Sequence, residues 1–301
     1  MKNVIITGVS SGFGKQALQL LLEKGHRVIA GVRGGRTRME TMGEPWIGAS
    51  LDSGQLVIAD VHLDRPDTLR AIAPLIAEHF DGQLDVLINN AGSAQLGPLE
   101  PMTEADLRGQ MEVNFMGPTL LTQACLPFLR RRGGRILNVS SALGYNTLPF
   151  YGSYTASKYA LEGLTESLHY ELRPFGIEVC LLEPGGFKTN FMKTAVRDTA
   201  RWREHPAYQR RTERFDEFIA NTTKNLADPS IVARILCQYV DARSVPLRRP
   251  IGVDGIAIAL SHWIFPRFMY VWAVELFFRR FVFRDTDAVP PLPQQTAGGE
   301  A

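Results

Sequence analysis

The chain has 301 residues, of which 45% are hydrophobic and 21% charged, with a formal net charge of +2. That length fits one large domain or two small ones, and the near balance of charge gives no global pull toward nucleic acid. The three cysteines, Cys125, Cys180 and Cys237, are far apart and show no metal-ligand spacing; no metal is expected, and so sparse a cysteine usage suits a reducing, cytoplasmic compartment.

Short β-branched runs alternate with helical patterns. The first apolar run, Val4 to Ile6 inside NVIIT, reads as a strand and is too short for a signal-peptide core. A helix is expected over 14–25 with Gly25 as its stop, then strands at 27–32 and 55–60. Residues 67–80 read as helical despite Pro74, and LDVLINNAG at 84–92 as a fourth strand running into a turn. A helix near 104–132 ends in Arg130, Arg131 and Arg132, which suit a helix C-terminus ahead of the capping Gly133 better than they suit an anion site. RILNVSS, a helix near 152–173, GIEVCLLEP and RRPIGVD complete the alternation. The pattern predicts an α/β fold: a Rossmann-like, doubly wound parallel sheet with helices on both faces. A single domain over 1–255 is expected, with a lid over 188–248, an apolar extension over 256–284 and a proline-rich, disordered tail over 285–301.

Ligands of such sheets bind beyond the carboxyl ends of the strands. After the first strand stands TGVSSGFG, with Gly8, Ser10, Ser11, Gly12, Phe13 and Gly14 opening a helix whose free N–H groups suit a phosphate. The nucleoside-triphosphate pattern fails here, because Val9 stands where its first glycine is needed and Gln16 replaces its hydroxyl. After the second strand comes Arg33, with no acid before Glu40. A carboxylate there would bind a ribose 2′-hydroxyl, whereas an arginine, helped by Ser10, pairs with a 2′-phosphate, which points to NADP (NADPH) rather than NAD. Asp60 and Val61 follow the third strand, fit for an adenine amino group. Asn90, Ala91 and Gly92 follow the fourth, fit for close contact with a ribose. Ser140 and Ser141 end the fifth, and Pro184, Gly185 and Gly186 end the sixth, with Thr189 beyond. In YTASK, Tyr154 and Lys158 share one helix face, where an ammonium is expected to lower the phenol's pKa.

TGxxxGxG at 7–14, NNAG at 89–92, Asn114 inside VNFMG, Ser141, YxxxK at 154–158 and PG at 184–185, in this order over 1–190, make the chain similar to the short-chain dehydrogenase/reductase family. GVR and YTASKYALEGLTESL most resemble its 17β-hydroxysteroid and retinol dehydrogenase subgroup. The resemblance implies a catalytic tetrad of Asn114, Ser141, Tyr154 and Lys158. Tyr154 exchanges a proton with the substrate oxygen, Ser141 fixes that oxygen, Lys158 holds the nicotinamide ribose, and Asn114 holds a water leading to Lys158. Pro184, Gly185 and Thr189 are expected at the cofactor's carboxamide end. A homodimer or homotetramer is implied as well.

Leu143, Leu148, Tyr151, Gly186 and Phe187 are expected, beside Ser141 and Tyr154, to line the substrate side. So apolar a set suits a lipophilic alcohol or carbonyl of steroid, retinoid or fatty type. The segment 256–283 is interrupted by Pro266, Arg267, Glu275, Arg279 and Arg280 and is not expected to span a membrane. It fits a substrate cap, a peripheral membrane contact or a subunit interface. Two other classes compete with the oxidoreductase: a non-catalytic NADP-binding regulator, and a sugar-nucleotide epimerase or dehydratase. The latter class carries a different glycine pattern and a larger C-terminal domain than this chain has.

Overall fold

The computed structural model describes residues 1–191, 195, 199–205, 207–224 and 226–281. The expected disordered tail and the end of the apolar extension, 282–301, lie outside the described residues, as do 192–194 and 196–198 of the expected lid.

Seven strands form one parallel sheet: β1 (Asn3–Thr7), β2 (Arg27–Val32), β3 (Leu56–Asp60), β4 (Val86–Asn89), β5 (Arg135–Val139), β6 (Glu178–Pro184) and β7 (Arg248–Ile251), in the order β3-β2-β1-β4-β5-β6-β7. β1 is central, with Ile5 registered against Ile29 of β2 and Leu87 of β4. Its side chains alternate between faces, Val4 and Ile6 entering one core and Ile5 the other, because a strand repeats every second residue. Both faces are therefore apolar and need helices over them.

The helices are α1 (Gly12–Glu23), α2 (Gly35–Glu40), α3 (Pro45–Asp52), α4 (Pro66–Arg70), α5 (Ile72–His79), α6 (Glu104–Met111), α7 (Gly117–Leu129), α8 (Gly152–Leu172), α9 (Thr199–Glu204), α10 (Gln209–Thr222), α11 (Ser230–Asp241), α12 (Val253–Ile264) and α13 (Arg267–Phe281). Leu18 and Leu21 of α1 pack with Val232 and Leu236 of α11 on one face. Ile72 and Ile76 of α5 pack with Leu121 and Cys125 of α7 on the other.

Two long expected helices are broken. The one over 67–80 divides at Ala71, which places Pro74 in the first turn of α5, where its missing N–H costs nothing. The one over 104–132 passes through a π-helical turn, Glu112–Met116, that carries Asn114; a π turn inserts one residue and re-aims a side chain, commonly at functional sites. The cations at 130–132 behave as cap residues: Arg130 closes α7, and its guanidinium lies 4.7 Å from the Phe175 ring centroid.

The strand order reverses direction at β1 and β4, and the crevice at their carboxyl ends is the expected ligand position. There the chain is drawn tight. A methyl on Gly14 would lie 2.3 Å from the Gly8 carbonyl oxygen and 2.5 Å from Asn90 Nδ2. Gly14→Ala is therefore expected to cost about 1–3 kcal/mol, the range for an overpacked core position, read as a lower urea midpoint with an unchanged denaturant slope.

Candidate active site

The turn after β1 is held from β4. Asn90 Nδ2 donates to the carbonyls of Thr7 (2.9 Å) and Gly8 (3.2 Å), and Thr7 Oγ1 accepts from Asn90 N and Ala91 N. The Asn90 amide thus fastens the glycine turn. Ser11 is the N-cap of α1 but makes no side-chain cap bond, and the first turn holds no acid. The positive helix end and its unpaired N–H groups therefore point outward beside Ser10 and Ser11, an arrangement that fits a dinucleotide's phosphates. Thr189 sits beside Gly12. A cleft of about 860 Å³ opens over this end; its lining includes Gly12 and Thr189 and none of the four tetrad residues.

Arg33 is exposed just after β2. Asp60 Oδ1 accepts from Gly34 N at 2.8 Å and lies 3.2 Å from His62 Nε2, so its carboxylate pins the loop that carries Arg33. Val61 is buried behind it, and Pro184 ends β6. Gly185 and Gly186 press against Asp254, whose Oδ2 accepts from Gly186 N at 2.5 Å.

Asn114, Ser141, Tyr154 and Lys158 meet at the ends of β4 and β5. Asn114 Nδ2 donates to Ser93 O (2.9 Å) and Ser157 Oγ (3.0 Å), and its Oδ1 accepts from Ser93 N (2.9 Å). Its amide splints the turn after β4 to α8. Gly92 leaves room beside both Asn114 Oδ1 and Lys158 Nζ. Ser141 Oγ accepts from Leu143 N at 3.1 Å, and the Ser141 hydroxyl lies close enough to the Tyr154 hydroxyl to lower its pKa. Tyr154 is only 6% exposed.

The expected acidification of Tyr154 is not what this arrangement produces. Burial pushes its hydroxyl up to about 12, opposed by the nearby Ser141 hydroxyl. The Lys158 ammonium instead donates to Val139 O at 3.0 Å, with its Nζ 5.8 Å from the Tyr154 ring centroid. Burial lowers Lys158 to about 8, and the Glu162 charge holds it up against a larger fall.

Glu162 lies one helical turn beyond Lys158 and opens a buried charge cluster that the sequence reading missed. Arg248 Nη1 donates to Glu162 and to Glu183, and its Nη2 reaches Glu166 at 2.7 Å. Burial, then the adjacent Glu162 charge, pushes Glu183 up to about 8; burial raises Glu162 as well. Two buried carboxyls thus share one guanidinium. The Ser140 hydroxyl sits close enough to Glu162 to lower its carboxyl, but the two do not reach hydrogen-bond geometry.

Around Tyr154 the structure gathers Ala94, Leu96, Trp202, Phe215, Ile219 and Phe278, with Leu143, Leu148 and Tyr151 packed against them. The last three are expected substrate-side residues. Phe187 and Gly186, also expected there, lie elsewhere: Phe187 packs edge-on against Phe13 at 5.5 Å in the core under α1, and Gly186 is wedged against Asp254 and Leu226. Thr212, Phe215 and Ile219 recur at helical spacing, the signal that could have found α10 as a cover. Trp202 closes the cluster flat against Gly97, where an added methyl would fall 2.0 Å from the indole.

A phosphate-ready helix start at one end of the crevice and a hydroxyl–phenol–ammonium group at the other are the two halves of an oxidoreductase that works with a bound dinucleotide. The chain belongs to the short-chain dehydrogenase/reductase family, whose model, described as short chain dehydrogenase, matches residues 2–200. It is 34% identical over 279 residues to a 3-ketodihydrosphingosine reductase of Bacteroides thetaiotaomicron, covering 91% of this chain and 97% of that one. Among solved structures, a short-chain dehydrogenase from Streptomyces avermitilis aligns at a TM-score of 0.74 and 31% identity, over 95% of this chain and 100% of that one. A Burkholderia cenocepacia short chain dehydrogenase in complex with NADP aligns at 0.70 and 23% identity, over 90% and 96%, a likeness of fold alone. These comparisons reach the family and do not reach the hydroxysteroid or retinol subgroup.

A lysine whose pKa falls from 10.5 to about 8 on folding binds fewer protons folded than unfolded between those pH values. Its charge penalty is therefore present in full below about pH 8, and stability is regained as pH rises toward 10.5. Lys158→Met is expected to raise unfolding stability at pH 7 by on the order of 2–3 kcal/mol, with the gain shrinking as the pH approaches 10, read from urea unfolding across that range.

Proposed function

We propose that the chain is an NADP(H)-dependent reductase of a lipophilic carbonyl compound, with Tyr154 as the proton donor. The observation that carries this reading is the Tyr154 hydroxyl, close to that of Ser141, set against the apolar side chains of Leu96, Trp202, Phe215, Ile219 and Phe278. A polar substrate would lose its water there without replacement partners. An apolar molecule bearing one carbonyl oxygen would find both hydroxyls beside this apolar wall. The 3-ketodihydrosphingosine reductase among the relatives supports the class we assign: a ketone on a long aliphatic chain.

The dinucleotide would be held by the Gly8–Gly14 turn with Ser10, Ser11, Gly12 and Phe13, by Asp60 and Val61 at the adenine, and by Ala91 and Gly92 at a ribose. Lys158 and Tyr154 serve the second ribose, and Pro184, Gly185 and Thr189 the carboxamide. Arg33 supplies the selectivity for a 2′-phosphate. When bound, the nicotinamide supplies the hydride.

The Tyr154 phenol is protonated through the physiological range, as a phenol is at its ordinary value and the more so with burial raising it, and this is the state an acid needs before it gives a proton to a carbonyl oxygen becoming an alkoxide. Ser141, close to Tyr154, orients that oxygen with its own hydroxyl. Lys158 stands behind the pair as a cation at pH 7 that titrates near 8, able to support negative charge on the phenolate oxygen and to help return a proton to it. Trp202, Phe215 and Phe278 exclude water from the reacting atoms. The cover of Tyr154 must open for substrate to enter.

Tyr154→Phe is expected to lower kcat by about 10²–10⁴-fold, the usual worth of a positioned acid, while NADPH affinity measured by fluorescence changes little. The assay is NADPH absorbance with a panel of long-chain ketones; unaltered turnover in the variant would sink the mechanism. Arg33→Ala is expected to cost about 10–100-fold in kcat/KM for NADPH, as losing a charge-assisted contact does, and to leave NADH turnover unchanged. A wild-type preference for NADH would count against the role given to Arg33 and leave the family assignment standing.

A further inference from the structure

The helix pair α12–α13 has two apolar sides, and among the described residues only one of them is covered. Inward, Gly255 and Ala259 of α12 are buried, and Phe278 of α13, 2% exposed, belongs to the Tyr154 cluster. Tyr270 Oη donates to Thr147 O at 3.1 Å, and Arg267 Nη2 donates to Tyr159 Oη at 3.2 Å. The pair is thus fastened to the body of the protein. Its other side consists of Val253, Ile256, Leu260 and Trp263 at helical spacing, followed by Phe268, Trp272 and Leu276 at the next. Trp263 is 79% exposed, Phe268 71% and Trp272 64%.

We propose that this outward face seats the protein on an anionic lipid bilayer and admits the lipid substrate to Tyr154 from the membrane side. The second half rests on the lipophilic-substrate reading; the seating does not. Large apolar patches of this kind are uncommon on monomers and mark contact surfaces. The charges identify the partner. Arg267 opens α13 and Arg279 and Arg280 close it, about 20 Å apart at 1.5 Å per residue. Asp254 is taken up by Gly186 N, and Glu275 offsets Arg279 at 2.7 Å, which leaves Arg267, charged while it bonds Tyr159 Oη, and Arg280 as the net cationic ends of α13. Indole and aliphatic side chains between cationic ends are the complement of acyl chains beneath anionic headgroups. A second copy related by a two-fold axis would set arginine against arginine with no acid opposite. No helix among the described residues is long and apolar enough to cross a membrane, so the pair lies on the bilayer. The buried side of the same helix touches the Tyr154 cluster through Phe278 and Val274, which makes the face continuous with the site.

The test uses the full chain with vesicles of phosphatidylcholine, and with vesicles of equimolar phosphatidylcholine and phosphatidylglycerol, in a flotation assay. Binding is expected to the anionic vesicles, weakening as salt is raised. Trp263→Glu/Trp272→Glu is expected to reduce it by at least about tenfold, since two exposed indoles lose their burial, with unchanged circular dichroism and unchanged turnover of a short water-soluble ketone. Turnover of a long-chain ketone presented in the same vesicles is expected to fall with the binding. Absence of wild-type flotation overturns the seating, as does flotation that survives the double substitution. A wild-type oligomer that this variant converts to monomer, with vesicle binding unaffected, assigns the face to a second copy instead. Intact flotation with vesicle turnover insensitive to the variant overturns delivery alone. Loss of all ketone turnover in the wild type, with flotation intact, strikes the reductase reading and leaves the seating in place.

Discussion

Taking one ammonium out of water shapes the whole active end of the molecule. Lys158 is buried beneath the end of β5, with Val139 O as its hydrogen-bond acceptor and Glu162 as the nearest charge that favours it. Desolvation at such a site disfavours the charged form by several kcal/mol unless partners compensate. The compensation is itself buried: Glu162 is held by Arg248, which is shared with Glu183 and steadied by Glu166. β6 and β7, far from the glycine turn, are therefore tied electrostatically to Lys158. A fold optimised for stability alone would put an apolar side chain at 158 and dispense with the cluster. Its presence marks a position where function has been placed ahead of stability.

The sheet and the order of its helices were legible because burial on both faces forces near-continuous apolar strands, and those strands end in glycine or small polar residues. The breaks were not legible. Nothing local in 104–132 announces a π turn at Asn114; the turn follows from the demands of Ser93 and Ser157, which lie on other elements. Glu162 could have been read, since it follows Lys158 by one turn on the same helix face. Arg248 could not, because its partners are brought to it by the crossover from β6 to β7. Phe187 shows the same limit in reverse. It stands beside the cofactor-side PG turn in sequence, but its ring turns into the core against Phe13.

Composition also said less about 253–281 than it seemed to. An apolar helix that covers a site and an apolar helix that faces lipid have the same hydropathy; only the fold tells which residues look inward. Here both faces are apolar, and the structure divides them. Phe278 and Val274 complete the cluster over Tyr154, and Trp263, Phe268 and Trp272 point away from it. The cap and membrane alternatives open in the sequence are thus two sides of one element on the reading proposed here.

Burial also bears on the chemistry of the site. On the reading proposed here Tyr154 starts protonated, the state carbonyl reduction needs, while burial raises its pKa and so makes it a weaker acid that needs help to give the proton up. That help is electrostatic: Lys158 keeps its charge while donating to Val139 O, and a cation near the phenol eases the loss of its proton. An oxidised nicotinamide carries a positive charge and a reduced one does not. On the reading proposed here, the ease of proton transfer at Tyr154 would therefore depend on the redox state of a bound dinucleotide through the electrostatics of its enclosure.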